Sequence, residues 1–218
     1  MASYRTVSEL PQLIPVFPLD GALLLPGGEL PLQIFEPRYL NMVDDAMAGD
    51  RVIGMLQTRG GSRARPILSP VGCLGRITSY AETSDGRYLI TLTGLCRFDT
   101  GEELDLRLPY RQVRAKYERF GDDLGEDEEA EVSAAARSRF ATALKRYLNH
   151  RELDIDWATA NDAPLEALVN SLCMGLPFEP AEKQAFLEAP DLAGRFEVLT
   201  TLLEIDASDP DDEHTSLQ

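Results

Sequence analysis

Two proline-bounded apolar phrases near the start constrain this chain more than any other feature of it. Ile14-Pro15-Val16-Phe17-Pro18-Leu19 is followed by Pro31-Leu32-Gln33-Ile34-Phe35-Glu36-Pro37-Arg38-Tyr39. Proline fixes φ and has no backbone N–H, so it removes a rung from any hydrogen-bonded ladder. Strands built from these phrases are therefore expected at a sheet edge or a bulge. The second phrase then changes period. Pro37 suits a first helical turn, Tyr39, Val43, Ala46 and Met47 share a helical face, and Gly49 provides a stop. Glu36 and Arg38 thus flank a strand-to-helix corner.

The rest of the first ~120 residues reads as strands. Arg51–Thr58 is a short apolar run, followed by a loop rich in Gly, Ser, Arg and Pro through Pro70. Val71–Ala81 and Arg87–Gly94 flank Ser84-Asp85-Gly86, a hairpin signal. Leu104, Leu106, Leu108 and Tyr110 alternate with polar residues and predict a half-buried strand. Gly72 and Gly75 permit a bulge or a tight corner. After Phe120 the period becomes helical. Val132, Ala136, Phe140, Ala143, Leu144 and Tyr147 mark a long helix, and Asp162 with Pro164 starts another carrying Leu165, Leu168, Val169 and Leu172. Residues 180–189 form a short helix with Phe186 and Leu187. Asp191 caps a last one with Phe196, Leu199 and Leu203. Strands first and helices afterwards indicate an α+β fold, its first part a small antiparallel barrel.

Charge is unevenly spread. Of 37 acids against 21 bases, seven lie in 122–131 (Asp122, Asp123, Glu126, Asp127, Glu128, Glu129, Glu131) and five in 206–213 (Asp206, Asp209, Asp211, Asp212, Glu213). These runs read as a linker and a tail, and they lack the oxygen spacing of a calcium loop. The expected division is 11–120 barrel, 121–131 acidic linker, 132–206 helical bundle and 207–218 acidic disordered tail.

Several function classes find no support. No apolar run approaches the ~20 residues of a membrane span, and the first residues lack a signal-peptide pattern, so the expectation is cytoplasmic with no membrane partner. Cys73, Cys96 and Cys173 form no CxxC pair and read as small buried hydrophobes. With only His150 and His214 beside them, no metal site and no cofactor is expected. There is no GxxxxGK[ST] and no GxSxG. His150 falls at a helix end and His214 in the acidic tail, while Lys116, Lys145 and Lys183 lie in polar contexts that read as solvent faces. Catalytic residues: none. Arg59, Arg63 and Arg65 lie in the Gly-rich loop, and Arg107, Arg111, Arg114 and Arg119 on a strand. They compete with a net charge of −16 that opposes nucleic acid.

The proline-bounded phrases, Phe35-Glu36-Pro37-Arg38-Tyr39, Gly72-Cys73-Leu74-Gly75-Arg76-Ile77 and Leu92-Thr93-Gly94-Leu95-Cys96-Arg97-Phe98 together resemble the N-terminal substrate-binding domain of Lon proteases. Glu182–Glu188 and Arg195–Leu199 resemble its helical half, so the similarity runs from about residue 11 to 205. The resemblance implies a PUA-like antiparallel β-barrel with one inserted helix, followed by a C-terminal helical bundle. It also implies a stand-alone bacterial Lon-domain protein, non-catalytic, because the ATPase and Ser–Lys peptidase domains of Lon would begin where this chain ends. The implied partners are unfolded or apolar protein segments, in proteolysis or quality control with a protease or chaperone. The alternative is an RNA-binding PUA-like module. Phe17, Phe35 and Tyr39 are the candidate peptide contacts, with Glu36 and Arg38 orienting; the same rings also suit a core.

Overall fold

The computed structural model describes residues 4–62, 65–104, 107–125 and 132–207. The chain divides into two compact units, Met1–Glu128 with Cys173–Glu188, and Glu129–Leu172 with Ala189–Gln218. The first unit carries β1 (Leu13–Pro18), β2 (Glu29–Ile34), α1 (Pro37–Ala48), β3 (Val52–Leu56), β4 (Thr58–Ser62), β5 (Arg65–Leu68), β6 (Val71–Glu82), β7 (Tyr88–Leu104) and β8 (Arg111–Lys116). The main sheet runs β2-β7-β6-β3-β1-β8, and β8 pairs with β7 as well, so the pairings return to β7 and leave β2 outside the circuit. Ile14, Val16, Ile53, Leu74, Leu92, Phe98 and Val113 are completely buried. At ~1.5–3 kcal/mol for each large apolar side chain, such a core holds without a covalent staple.

The sheet is mixed rather than antiparallel, because β1 and β3 run parallel, with Val16 opposite Gly54 and Pro18 opposite Leu56. Parallel neighbours need a crossover, and β2 with α1 provides it. A second correction concerns Pro15 and Pro18, since β1 is an interior strand. Its first half pairs with β8 (Leu13–Val16) and its second with β3 (Val16–Pro18). Gln12 O accepts the Ala115 N–H at 2.7 Å, so by alternation Ile14–Val113 and Val16–Arg111 are the hydrogen-bonded pairs and Pro15 is not. Leu19 N–H donates to Leu56 O at 2.9 Å, which turns the Pro18 nitrogen away from β3, toward the side that β8 has already left. The missing N–H of Pro18 thus falls where the strand has no paired neighbour, and that of Pro15 falls on the β3 side, where the ladder to β3 starts only at Val16. Pro31 does sit on an edge: β2 pairs only with β7 among the described residues. Gly94 N–H donates to Gly28 O at 2.9 Å, so alternation turns the Pro31 nitrogen outward.

Other expectations shift for local reasons. The stretch read as a loop through Pro70 contains the β4–β5 hairpin, with Gly60 and Gly61 at positive φ (77° and 88°) where its register slips. Arg63 lies outside the described residues. Residues 107–110 form no strand: Leu108 is exposed and Pro109 precedes β8, while β7 includes Leu104 and Leu106 lies outside the described residues. On α1, Met42 rather than Met47 joins Tyr39, Val43 and Ala46 in the core. A 3-10 helix over Glu118–Leu124 takes up the start of the 121–131 segment and buries Phe120. Residues 126–131 and 208–218 lie outside the described residues.

In the second unit α2 (Ala134–His150) begins at Ser133, whose hydroxyl accepts the Ala136 N–H. Asp156 caps α3 (Trp157–Asp162) by accepting from Ala158 and Thr159, so Asp162 closes a helix instead of opening one. α4 (Leu165–Gly175) follows. α5 (Pro180–Glu188) belongs to the first unit, not to the helical part. α6 (Leu192–Asp206) returns to the second unit, capped by Asp191 through Gly194 N–H. It packs on α2 through Phe196 against Phe140 at 4.9 Å between ring centres, and Arg139 of α2 reaches both Glu197 and Glu204. No described helix is long and apolar enough to cross a membrane.

All three thiols are buried, and burial pushes the Cys96 thiol up to about 12. Because the thiolate is the reactive form, a water-soluble aromatic disulfide should modify no cysteine of the folded protein within minutes and three after denaturation. Fast modification of even one thiol without denaturant contradicts this packing.

Candidate functional site

The strand-to-helix corner brings four of the five candidate side chains into one stack. Ile34, the last residue of β2, is buried, and the next residue, Phe35, is 62% exposed. Glu36 occupies the N-cap position of α1 but does not cap it. Its carboxylate instead accepts from Arg38 Nε at 2.9 Å and Nη2 at 2.8 Å. Arg38 lies over the Tyr39 ring, 4.5 Å from its centre, and Tyr39 packs on Phe17 at 4.3 Å. Burial raises the Tyr39 hydroxyl pKa against the pull of Arg38. Phe17 and Tyr39 are only 7% exposed each, so they support the corner from within while Phe35, Glu36 and Arg38 face solvent. The exposed Glu36–Arg38 pair contributes ~0–1 kcal/mol. Its geometric effect is to hold Arg38 over the tyrosine ring.

A second feature went unread in the sequence. Pro66-Ile67-Leu68-Ser69-Pro70 repeats the proline-bounded apolar pattern of the first phrase, but its glycine- and arginine-rich surroundings hid it. With Arg59, Thr100, Gly101, Glu103 and Arg111 it lines a groove of about 440 Å³, within the ~300–1,000 Å³ of ligand sites. Ile67 is half exposed there. Arg111 forms a two-pronged ion pair with Glu103, Nε–Oε1 2.6 Å and Nη2–Oε2 2.7 Å, and its Nη1 donates to Pro66 O at 2.8 Å.

Polar residues behind these surfaces fasten α5. Lys183, read from sequence as a solvent residue, is buried and donates to Gly21 O at 2.8 Å. Desolvation lowers its pKa. Gln57 donates to Pro180 O at 3.0 Å and Gln184 to Val71 O at 3.2 Å. Arg97 donates from Nη1 to Leu187 O at 3.3 Å and pairs with Asp123 at 2.7 Å, both side chains buried. In sequence Asp123 is only one acid of the 122–131 run. Of the other arginines, Arg119 pairs with Asp99, and Arg59 is exposed.

His150 is exposed at the end of α2, and His214 lies outside the described residues. Among the described residues, no three His, Cys, Asp or Glu side chains converge as metal ligands.

Comparison with known proteins follows the same outline. The family model described as the ATP-dependent protease La (LON) substrate-binding domain matches residues 13–204. Lon protease 2 of Myxococcus xanthus is 27% identical over 200 residues, which cover 89% of this chain and 24% of that protein. Lon protease of Desulfosudis oleivorans is 25% identical over 209 residues, covering 91% and 24%. The chain therefore spans about a quarter of the length of these relatives. Among solved structures, a Lon N-terminal domain protein from Xanthomonas campestris superposes with a TM-score of 0.62 at 20% identity, over 87% of this chain and 97% of that one. The N-terminal domain of Mycobacterium avium complex Lon protease gives 0.61 at 19%, over 88% and 97%.

Proposed function

The chain belongs to the Lon substrate-binding domain family, and from that premise we propose that it is a non-catalytic module that binds unfolded or apolar protein segments, in proteolysis or protein quality control. The observation that carries this reading is the family match across nearly the whole chain. It is supported by an exposed aromatic corner and, on the same unit, a groove with one apolar wall. We read the returning circuit of strand pairings as a PUA-like barrel and the second unit as the helical bundle of that family. Phe35, Glu36 and Arg38 are the contact residues at the corner, and Phe17 and Tyr39 support them. A protease or chaperone is the working partner.

Titrating the chain with a fluorescently labelled, reduced and carboxymethylated protein tests the reading, with saturable micromolar binding as the expected result. Phe35→Ala should weaken it at least fivefold. Because Phe35 is exposed, the same change should leave unfolding free energy within ~0.5 kcal/mol of the parent. Absence of saturation at high micromolar concentration rejects the proposal. A salt-sensitive shift with mixed RNA under the same conditions would favour an RNA module instead.

A further inference from the structure

The groove beside β5 has a backbone edge as well as an apolar wall. β4 and β5 form a two-stranded sheet of their own, and no described strand pairs with the far side of β5. Ser69 N–H donates to Gln57 O at 2.9 Å, and Thr58 lies opposite Leu68. By alternation Gln57–Ser69 is the hydrogen-bonded pair and Thr58–Leu68 is not. The Leu68 N–H and C=O therefore point away from β4. The Pro66 carbonyl points the same way, to Arg111.

The opposite wall is the end of β7. Thr100 N–H donates to Pro70 O at 2.7 Å and Thr100 Oγ1 to Ser69 O at 2.9 Å, pinning the two walls at one end. Beyond that point the β7–β8 pairing shifts register between Thr100 and Glu103. The shift includes Gly101, where a Cβ would lie 2.3 Å from Arg114 O. Bulges commonly re-aim side chains at functional edges, and here Glu103 reaches Arg111. The slot left between the walls is apolar along Pro66, Ile67, Leu68 and Pro70. Among the described residues its charged side chains are Arg59, Arg111 and Glu103. Glu103 is held by Arg111, whereas Arg59 is exposed and forms no ion pair among the described residues. On a chain of net charge −16 this is a local cationic spot.

We infer that the groove takes an extended peptide as an added strand along β5. The peptide backbone meets the Leu68 N–H and C=O, an apolar side chain lies on Ile67 and Pro70, and a neighbouring carboxylate faces Arg59. Strand addition gains affinity from main-chain hydrogen bonds and specificity from alternate side chains. The inference rests on the reading of the chain as a binder of unfolded polypeptide, and it names the segment class: apolar residues flanked by acids.

The test measures fluorescence anisotropy with a labelled peptide, acetyl-Glu-Leu-Val-Ile-Asp-amide. Its controls are the same peptide N-methylated at alternate residues and a version with Lys for both acids. Binding of the parent peptide, weakened at least tenfold by N-methylation, by the Lys exchange and by Arg59→Glu, is the expected result. Arg59 is exposed, so R59E should fold as the parent does, which circular dichroism checks. Equal affinity for the N-methylated peptide overturns strand addition, and indifference to R59E overturns the carboxylate contact. If the carboxymethylated protein binds and the peptide neither binds nor competes, the inference falls while the binding role stands. If neither binds, both fall.

Discussion

Replacing Asp123 by alanine should lower the unfolding free energy of the first unit by about 3–5 kcal/mol, the cost of breaking a buried ion pair from one side. Arg97 and Asp123 side chains are only 4% and 8% exposed and meet at 2.7 Å. Asp123 also accepts the Arg97 backbone N–H at 2.8 Å, and the guanidinium lies 4.6 Å from the Phe120 ring centre. Without the carboxylate, a cation is left in the core beside the Leu187 carbonyl that ties α5 to the strands. A domain of this size has ~5–15 kcal/mol in all, so the loss should be plain in urea unfolding followed by circular dichroism. Trp157, the only tryptophan, lies in the second unit, and its fluorescence separates that unit from the first. The double change Arg97→Met with Asp123→Leu should recover most of the loss, because exchanging a whole buried pair for apolar residues is often neutral. A D123A loss under 1 kcal/mol would show that the pair is not buried in solution.

Gly94→Ala should cost about 3 kcal/mol, at the upper end of overpacking effects. A Cβ on residue 94 would stand 2.0 Å from Leu25 O, 2.8 Å from Leu25 C and 3.2 Å from Pro26 Cα. All three are backbone atoms, so no side chain can rotate aside. The same segment is fixed by Gly27 N–H to Gly94 O at 3.0 Å and Gly94 N–H to Gly28 O at 2.9 Å. Gly175→Ala is the matched control: nothing lies within 4 Å of its added Cβ, its φ is not positive, and it ends α4. That change should be neutral or stabilise by up to ~1 kcal/mol. Thermal unfolding of the two variants checks both, and a Gly94→Ala midpoint equal to the parent's would refute the close approach.

Legibility varied with how local the cause was. α1 was readable because Pro37, its apolar face and Gly49 act within a few residues of one another. The 71–94 hairpin was readable from Ser84-Asp85-Gly86, and α6 from Asp191. β8 was misplaced because the alternation of Leu104, Leu106, Leu108 and Tyr110 mimics a strand, while Pro109 separates two elements that pair differently. α3 was missed because Asp156-Trp157-Ala158-Thr159 is too short to show a period. At the candidate site, the corner was legible as a strand-to-helix junction. The outward turn of Phe35 and the burial of Phe17 and Tyr39 were not, since side-chain type alone does not say which ring finds a partner. The β5 groove was hidden because its walls come from segments about 30 residues apart.

By itself the sequence determined that prolines would interrupt backbone pairing at residues 15, 18 and 31, that strands would precede helices, and which family the chain resembles. Those are properties of single residues, short periods and their order. Only the tertiary structure decided that β1 lies inside the sheet, passed from β8 to β3, with the Pro18 nitrogen on the side that β8 has left and Pro15 just before the β3 ladder begins. It alone placed Lys183, Arg97 and Asp123 in the interior and α5 with the strands. The physical reason is that proline limits what one strand can donate, whereas burial and partner choice depend on which distant segments close around it.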